Sequence, residues 1–271
     1  MVIAEFCQNH QGKRDVLASM IRNAGKAGAT FAKIQTFFAE DLTPEWKAQH
    51  FNKMKELELT WEDHAFFVKE CQDNNLQPVT SVYSAKYMME LQQCGFQWIK
   101  LGSADSHKSD LRKYLIATGF KVIMSTGGKS NLKSFDRHSG LSGVLHCISK
   151  YPHHWHEANL NRMIDIKYLW PNTSYGFSDH TNPIGDGWDL ATKHAMILGA
   201  SFVERHFTTL YRGDTKDGPV SIGYDQLKEL CRFDKLTLEE KFREIPQQCF
   251  ISRQDPNEVD LIDKYKGRWV S

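Results

Sequence analysis

No two of the six cysteines form a CxxC pair; Cys7, Cys71, Cys94, Cys147, Cys231 and Cys249 are scattered, several of them inside apolar runs. That pattern argues against a zinc ribbon or a disulfide framework and fits a reducing cytoplasm. Nor does any apolar run approach the roughly 20 residues that a membrane-spanning helix needs. The opening Met1-Val2-Ile3-Ala4-Glu5-Phe6 has no basic stretch and is interrupted by a Glu, so it does not read as a signal peptide. Neither sign of charge is in excess: Lys+Arg is 34 and Asp+Glu is 33, a formal net charge of +1. A broad nucleic-acid interface needs a basic face to neutralise phosphates, so neither nucleic acid nor membrane is an expected partner. A local anion site stays compatible with that balance. Walker, GxGxxG and GxSxG sequences are missing, which leaves nucleotide, dinucleotide and serine-hydrolase chemistry without support.

What is present is a strand–helix alternation. The chain has 271 residues, 41% of them hydrophobic, and a closed α/β barrel takes about 250. Short apolar runs occur at Val2–Phe6, Phe31–Gln35, Gln77–Ser81, Trp98–Leu101, Lys121–Ser125, Val144–Cys147, Ser174–Phe177 and Phe202–His206. Helical spacing lies between most of them: Leu17, Ile21, Ala24 and Gly28 share a face, as do Trp188, Ala191, Ala195 and Leu198. Thr60-Trp61-Glu62-Asp63 predicts a capped helix start, with the helix ending near Asn74-Asn75. Gly28, Gly95, Gly119 and Gly199 each follow a helical pattern, as C-terminal caps do. Parallel strands need such crossovers, and eight units favour a (β/α)8 TIM barrel over an open sheet. The unit between Ser125 and Val144 is weak, so its helix is expected to be short or absent. The reading assigns residues 1–243 to the barrel and 244–271 to a C-terminal tail or short helix, not a second domain.

In such a barrel the chemistry sits at the C-terminal ends of the strands. Lys33 and Gln35 share one face of the second strand, and Lys100 ends the fourth. A lysine in a buried strand is costly unless paired. Two at one rim suggest an anion site; alternatively each pairs with a carboxylate such as Glu5 or Glu204. Ser81, Ser103, Ser125, Ser149 and Ser178 recur at strand ends, where hydroxyls suit phosphate or carboxylate oxygens, although serine also serves ordinary turns. His180 and His206 end the neighbouring seventh and eighth strands and could share a divalent metal, or could be hydrogen-bonded core histidines. His153, His154 and His156 lie in one loop and read as surface residues. Rim carboxylates are Glu5, Asp105, Asp179, Glu204 and Asp217. Glu5 and Asp105 could act as bases or hold sugar hydroxyls, and Asp179 could orient a neighbour.

Seven segments in register resemble the sialic acid synthase family, the NeuB-type enzymes. They are Ile3-Ala4-Glu5 with Asn9-His10-Gln11-Gly12, then Ala32 to Phe37, Ile99 to Asp105, Ser125-Thr126-Gly127, His146 to Pro152, Gly176 to Thr181, and Glu204 to Phe207. The resemblance runs from about Val2 to Leu230. It implies condensation of phosphoenolpyruvate with an N-acylmannosamine-type or related aldose, giving a 2-keto-3-deoxy sugar acid and phosphate. By that resemblance Lys33, Lys100, Ser81, Ser103, Ser125, Ser149, Tyr151 and Ser178 hold phosphoenolpyruvate. His180 and His206 hold Mn²⁺ or Mg²⁺, Asp105 activates water, and Glu5 and Gln35 hold the sugar.

The pattern departs from the family in four places, the short fifth helix among them. The family's T-P-F-D after strand three reads Ser81-Val82-Tyr83-Ser84, and its G-P-D-H after strand eight reads Asp217-Gly218-Pro219-Val220. Family members also carry a C-terminal antifreeze-like domain, for which the residues after Glu244 are too few. A homodimer or a separately encoded antifreeze-like domain protein is therefore the expected partner at the sugar end. Competing readings are a lysine Schiff-base aldolase using Lys33 or Lys100, a metal-dependent barrel hydrolase, and a non-catalytic ligand-binding barrel.

Overall fold

The computed structural model describes residues 1–42, 47–127, 132 and 140–245. Eight strands, β1 (Val2–Cys7), β2 (Phe31–Thr36), β3 (Gln77–Val82), β4 (Trp98–Leu101), β5 (Lys121–Ser125), β6 (Leu141–Cys147), β7 (Ser174–Asp179) and β8 (Phe202–His206), pair in sequence order into a closed barrel. Every pair is parallel, and β8 returns to β1 with Val2 opposite Val203 and Glu5 opposite His206. The helices around it are α1 (Arg14–Ala27), α2 (Ala39–Leu42), α3 (Ala48–Leu57), α4 (Trp61–Asp73), α5 (Met88–Cys94), α6 (Ser109–Ala117), α7 (Asn161–Leu169), α8 (Leu190–Ile197), α9 (Tyr224–Asp234) and α10 (Leu238–Glu244). This is the expected (β/α)8 barrel.

The local signals act as the sequence predicts. In α1 the buried stripe is Leu17, Met20, Ile21 and Ala24, and Gly28 caps the helix at φ 92°. A side chain resists that left-handed conformation and glycine does not. Thr60 caps α4 reciprocally with Asp63: each side chain accepts from the other's backbone N–H, at 3.2 and 3.0 Å. β6 begins at Leu141, three residues before the expected Val144, because Ser142 and Gly143 dilute its apolar run. A Cβ at Gly143 would lie 3.0 Å from the Phe202 ring, so the strand leaves room there for an interior aromatic. The expected weak helix falls on 128–131 and 133–139, and the expected tail on 246–271; both lie outside the described residues. Among the described residues no helix is long and apolar enough to cross a membrane.

Strand alternation divides the core in two. Side chains such as Ala4, Ile34, Ile99, Val144 and Phe177 pack outward under the helices. Ile3, Phe31, Val79, Ile123, Leu145 and Phe202 point inward and fill one end of the barrel, with Trp98 against them. The Phe31 and Trp98 rings meet edge to face at 5.1 Å. Two residues further along, the same inward faces carry Glu5, Lys33, Ser81, Lys100, Ser125 and Glu204. The apolar layer is thus a floor, and the polar layer stands on it toward the C-terminal strand ends.

Candidate active site

Barrel closure brings residues from opposite walls into one buried ion cluster. Lys33 Nζ is paired with Glu5, lies 3.2 Å from Glu204 Oε2 and donates to Ser81 Oγ at 3.1 Å. Lys100 Nζ donates to both oxygens of Glu204, at 3.0 and 3.1 Å, and Ser178 Oγ donates to Glu204 at 2.7 Å. Glu5 accepts the Cys7 backbone N–H at 2.5 Å. None of these side chains reaches solvent to more than a few per cent, so the pairing offsets their desolvation. Both lysines therefore pair with Glu5 or Glu204, the carboxylate alternative the sequence offered, and Glu204, a rim carboxylate assigned no substrate role from the sequence, joins them.

Burial pushes the Glu5 carboxyl up to about 7, with Lys33 pulling it back and Glu204 adding to the rise. Burial also favours a neutral Lys33, but Glu204 and Glu5 outweigh it and raise that ammonium. At Lys100 burial dominates and lowers it, with Lys33 opposing Glu204. Glu204 goes the other way: despite burial, Lys100 and Lys33 hold it well below the usual carboxylate range.

A second group forms where β4, β5 and β6 end. The Gly127 N–H donates to Ser103 Oγ at 3.1 Å. A Cβ at Gly127 would lie 2.6 Å from Ser149 Oγ and 2.7 Å from Ser103 Oγ, so three polar groups converge where a side chain would stand. Ser125 Oγ is buried with no hydrogen-bond partner among the described residues.

The histidines lie beside the ion cluster. Their ring centroids are 5.2 Å apart. His180 Nδ1 lies 2.7 Å from the Ile148 carbonyl, which fixes the proton on Nδ1 and leaves the Nε2 lone pair free. His206 Nδ1 is buried without a hydrogen-bond partner among the described residues. Burial lowers His180 to about 3, and burial, with His180 nearby, lowers His206 well below the usual imidazole range, so both are neutral at pH 7. The Tyr151 ring stacks on His180 at 3.8 Å and meets His206 edge-on at 5.7 Å. One ligand atom each of Cys7, His206 and Asp217 lies within 4.8 Å of the others. Gln35 Nε2 donates to Cys7 Sγ at 2.9 Å, which joins Gln35 to this group.

Asp105 is buried in the turn after β4 and paired with Lys108 at 2.7 Å. Burial raises the Tyr83 hydroxyl, and Cys7, Glu5, Asp105 and Asp217 nearby add to the rise. Tyr83 stands within the altered segment after strand three, the signal that marked it.

A supporting layer lies behind. Asp179 and Arg205 are fully buried and paired at 2.7 Å. Asp179 also accepts from the Thr181 N–H and hydroxyl and from Thr192 Oγ1, at 2.8, 2.5 and 2.5 Å. Arg205 against burial holds Asp179 down to about 2. His153 is not a surface residue as its loop suggests: it is buried, its N–H bonds the His180 carbonyl at 3.2 Å, and Nε2 lies 3.6 Å from Asp179. His154 and His156 are exposed as expected.

The sequence profile of the NeuB family matches residues 20–240. The chain belongs to the NeuB family. Among NeuB-family relatives, it is 27% identical over 248 residues to the N-acetylneuraminate-9-phosphate synthase of Drosophila melanogaster, a match covering 84% of this chain and 65% of that one. It is 27% identical over 255 residues to the N,N'-diacetyllegionaminic acid synthase of Campylobacter jejuni, covering 85% and 74%. The sialic acid synthetase of Leptospira borgpetersenii superposes with a TM-score of 0.77 at 22% identity, over 98% of this chain and 90% of that one, and so shares the fold. The chain thus spans about two thirds of the Drosophila relative.

Proposed function

We propose that this NeuB-family barrel condenses phosphoenolpyruvate with an N-acylmannosamine-type or related aldose and releases phosphate. The observation that carries the reading is a pair of buried lysines from β2 and β4 standing beside two neutral histidines at the same strand ends. Membership of the family, and relatives named as sugar-acid synthases, support it.

In this reading Lys33 and Lys100 bind the anionic groups of phosphoenolpyruvate, with Ser81, Ser125 and Ser178 around them. Gly127 N–H, Ser103 and Ser149 form a cradle for oxyanions, and Tyr151 closes over the histidines. Carbon 3 of phosphoenolpyruvate bonds to the aldehyde carbon, water adds at carbon 2, and the C–O bond to phosphate breaks, leaving the 2-keto acid. Asp105 takes the proton from that water, while Glu5 and Gln35 hold sugar hydroxyls. The orphaned Nδ1 of buried His206 and the lone pair on His180 suit a divalent cation, Mn²⁺ or Mg²⁺. When bound, such an ion supplies Lewis-acid polarisation of the aldehyde oxygen.

Phosphate release with phosphoenolpyruvate, a divalent metal and a panel of aldoses is the test. Phosphate should appear only when both substrates are present. Release at the same rate without aldose, or none with any aldose, sinks the reading. One observation favours the Schiff-base alternative: burial and Lys33 lower Lys100. Borohydride trapping of a covalent adduct would decide for it.

A second expectation concerns Gly127. Its would-be Cβ meets two serine hydroxyls that can rotate away and Ser103 Cβ at 3.1 Å, which needs only a small shift, so Gly127→Ala should lower the melting temperature only slightly. It should nevertheless weaken phosphoenolpyruvate binding roughly tenfold, the scale of one lost hydrogen bond of about 1.4 kcal/mol. Calorimetric titration checks it; unchanged affinity would remove the cradle from the site.

A further inference from the structure

The expected pair of histidines does not use all the ligand chemistry at the strand ends. We infer that Cys7, His206 and Asp217 bind one divalent metal through a thiolate, an imidazole and a carboxylate, which selects Zn²⁺, Fe²⁺ or Co²⁺ over Mg²⁺. The inference rests on the proposed function only in sharing His206 with it.

Three observations converge. First, the three ligand atoms come from separate parts of the chain, yet all lie within 4.8 Å of one another, so a single ion can reach each. Second, His206 Nδ1 and Asp217 Oδ2 are both buried with no hydrogen-bond partner among the described residues. Unsatisfied buried polar atoms on two of the three clustered residues are costly unless something binds them. Third, the backbone at Cys7 departs from regular strand geometry beside the cluster. The β1–β2 register slips between Glu5 and Cys7, and Cys7 has φ 48°, in the left-handed region. A bulge re-aims a side chain, and a residue other than glycine held at such a φ stores strain that its surroundings must support. Glycine would adopt that conformation at no cost, so the strain is tolerated together with the thiol it positions.

Neighbours suit a thiolate ligand. Gln35 Nε2 donates to Cys7 Sγ, a contact that strengthens as the sulfur gains charge. Without a cation the sulfur is a thiol beside the Asp217 carboxylate. A metal replaces that proton: the S–H bond breaks, the proton leaves to solvent and the sulfur–metal bond forms. Soft sulfur and borderline imidazole favour zinc, iron and cobalt, whereas magnesium prefers oxygen ligands. His180, with its Nε2 lone pair free and its ring 5.2 Å from that of His206, is the nearest further imidazole.

Cobalt titration of the full chain, stripped with a chelator, tests the site. The wild type should show a near-ultraviolet thiolate-to-cobalt charge-transfer band that saturates as a single site. Zn²⁺ should displace it and millimolar Mg²⁺ should not. Cys7→Ser should bind without the band, and Cys147→Ser should keep it. Asp217→Asn, which leaves the thiol in place, should keep the band but need at least about tenfold more Co²⁺. A wild type that saturates with no band, a band that survives Cys7→Ser, or an Asp217→Asn titration that matches the wild type would each overturn the assignment. Should Cys7→Ser not fold, the wild-type spectrum and the Asp217→Asn shift still decide. The two readings also separate. A charge-transfer band with no phosphate release keeps the metal site and sinks the synthase. Full phosphate release by Cys7→Ser with Mg²⁺ alone does the reverse.

Discussion

Glu204→Ala is expected to cost about 3–5 kcal/mol of folding stability, and adding Lys100→Met should return most of that loss. Glu204 accepts from Lys100, Ser178 and Lys33. Without it, Lys33 keeps Glu5, whereas Lys100 is left as a buried ammonium facing no anion. Methionine at 100 has nearly the same length and no charge, so it removes the orphaned group. Lys100→Met alone leaves Glu204 with Lys33 and Ser178, and its stability cost should be smaller. Its phosphoenolpyruvate affinity should nevertheless fall by about 2–5 kcal/mol, as when one charged partner leaves a desolvated contact. Urea melts of the three variants give the coupling energy, and titration calorimetry gives the affinity. If Glu204→Ala melts like the wild type, the cluster does not stabilise the barrel. If Lys100→Met binds phosphoenolpyruvate normally, the anion site lies elsewhere.

The chain sequence already carried this cluster's lysines and hid its geometry. A charge inside an apolar strand is conspicuous at Lys33 and Lys100, and strand alternation alone puts Lys33 above Phe31 and Glu204 above Phe202. What joins Lys100 to Glu204 is closure of β8 onto β1, which brings together residues 104 positions apart. Local patterning holds no such information. The strand positions were legible for the same reason that β6 was read short: an unbroken apolar run marks β5 and opens β8, whereas Ser142 and Gly143 dilute it at the start of β6. Cys7 was read only as a scattered cysteine because the register slip and left-handed φ at its position lie outside period-two reasoning. His153 misled differently. Its polar loop suggests exposure, and only the bridge from His153 to Thr181 carries it under the strand ends.

That bridge belongs to the layer on which the last prediction turns. Asp179→Asn should destabilise the protein by about 3–5 kcal/mol and loosen the segment carrying His180. The carboxylate takes Arg205 on one oxygen, shared with the Thr192 hydroxyl, and the Thr181 N–H and hydroxyl on the other. Asparagine keeps the shape but carries no charge, and its amide nitrogen turns a donor toward groups that already donate. Arg205 then remains fully buried without its counter-ion. Arg205→Lys should not be conservative either. The guanidinium also donates to the Trp188 and Thr181 carbonyls, both at 3.1 Å, and one ammonium cannot replace that planar fork. Because Thr181 follows His180 and Arg205 precedes His206, slack here should reach both histidines, His206 among the ligands proposed for cobalt. Cobalt affinity of Asp179→Asn should therefore fall along with its stability, by about ten- to a hundredfold, the range found when a supporting contact behind a metal ligand is removed. Denaturant melts and cobalt titration on the same samples check both effects. A variant with wild-type stability would mean that the Asp179–Arg205 pair is replaceable. One that melts early but binds cobalt normally would mean that the strand ends hold His180 and His206 in place without it.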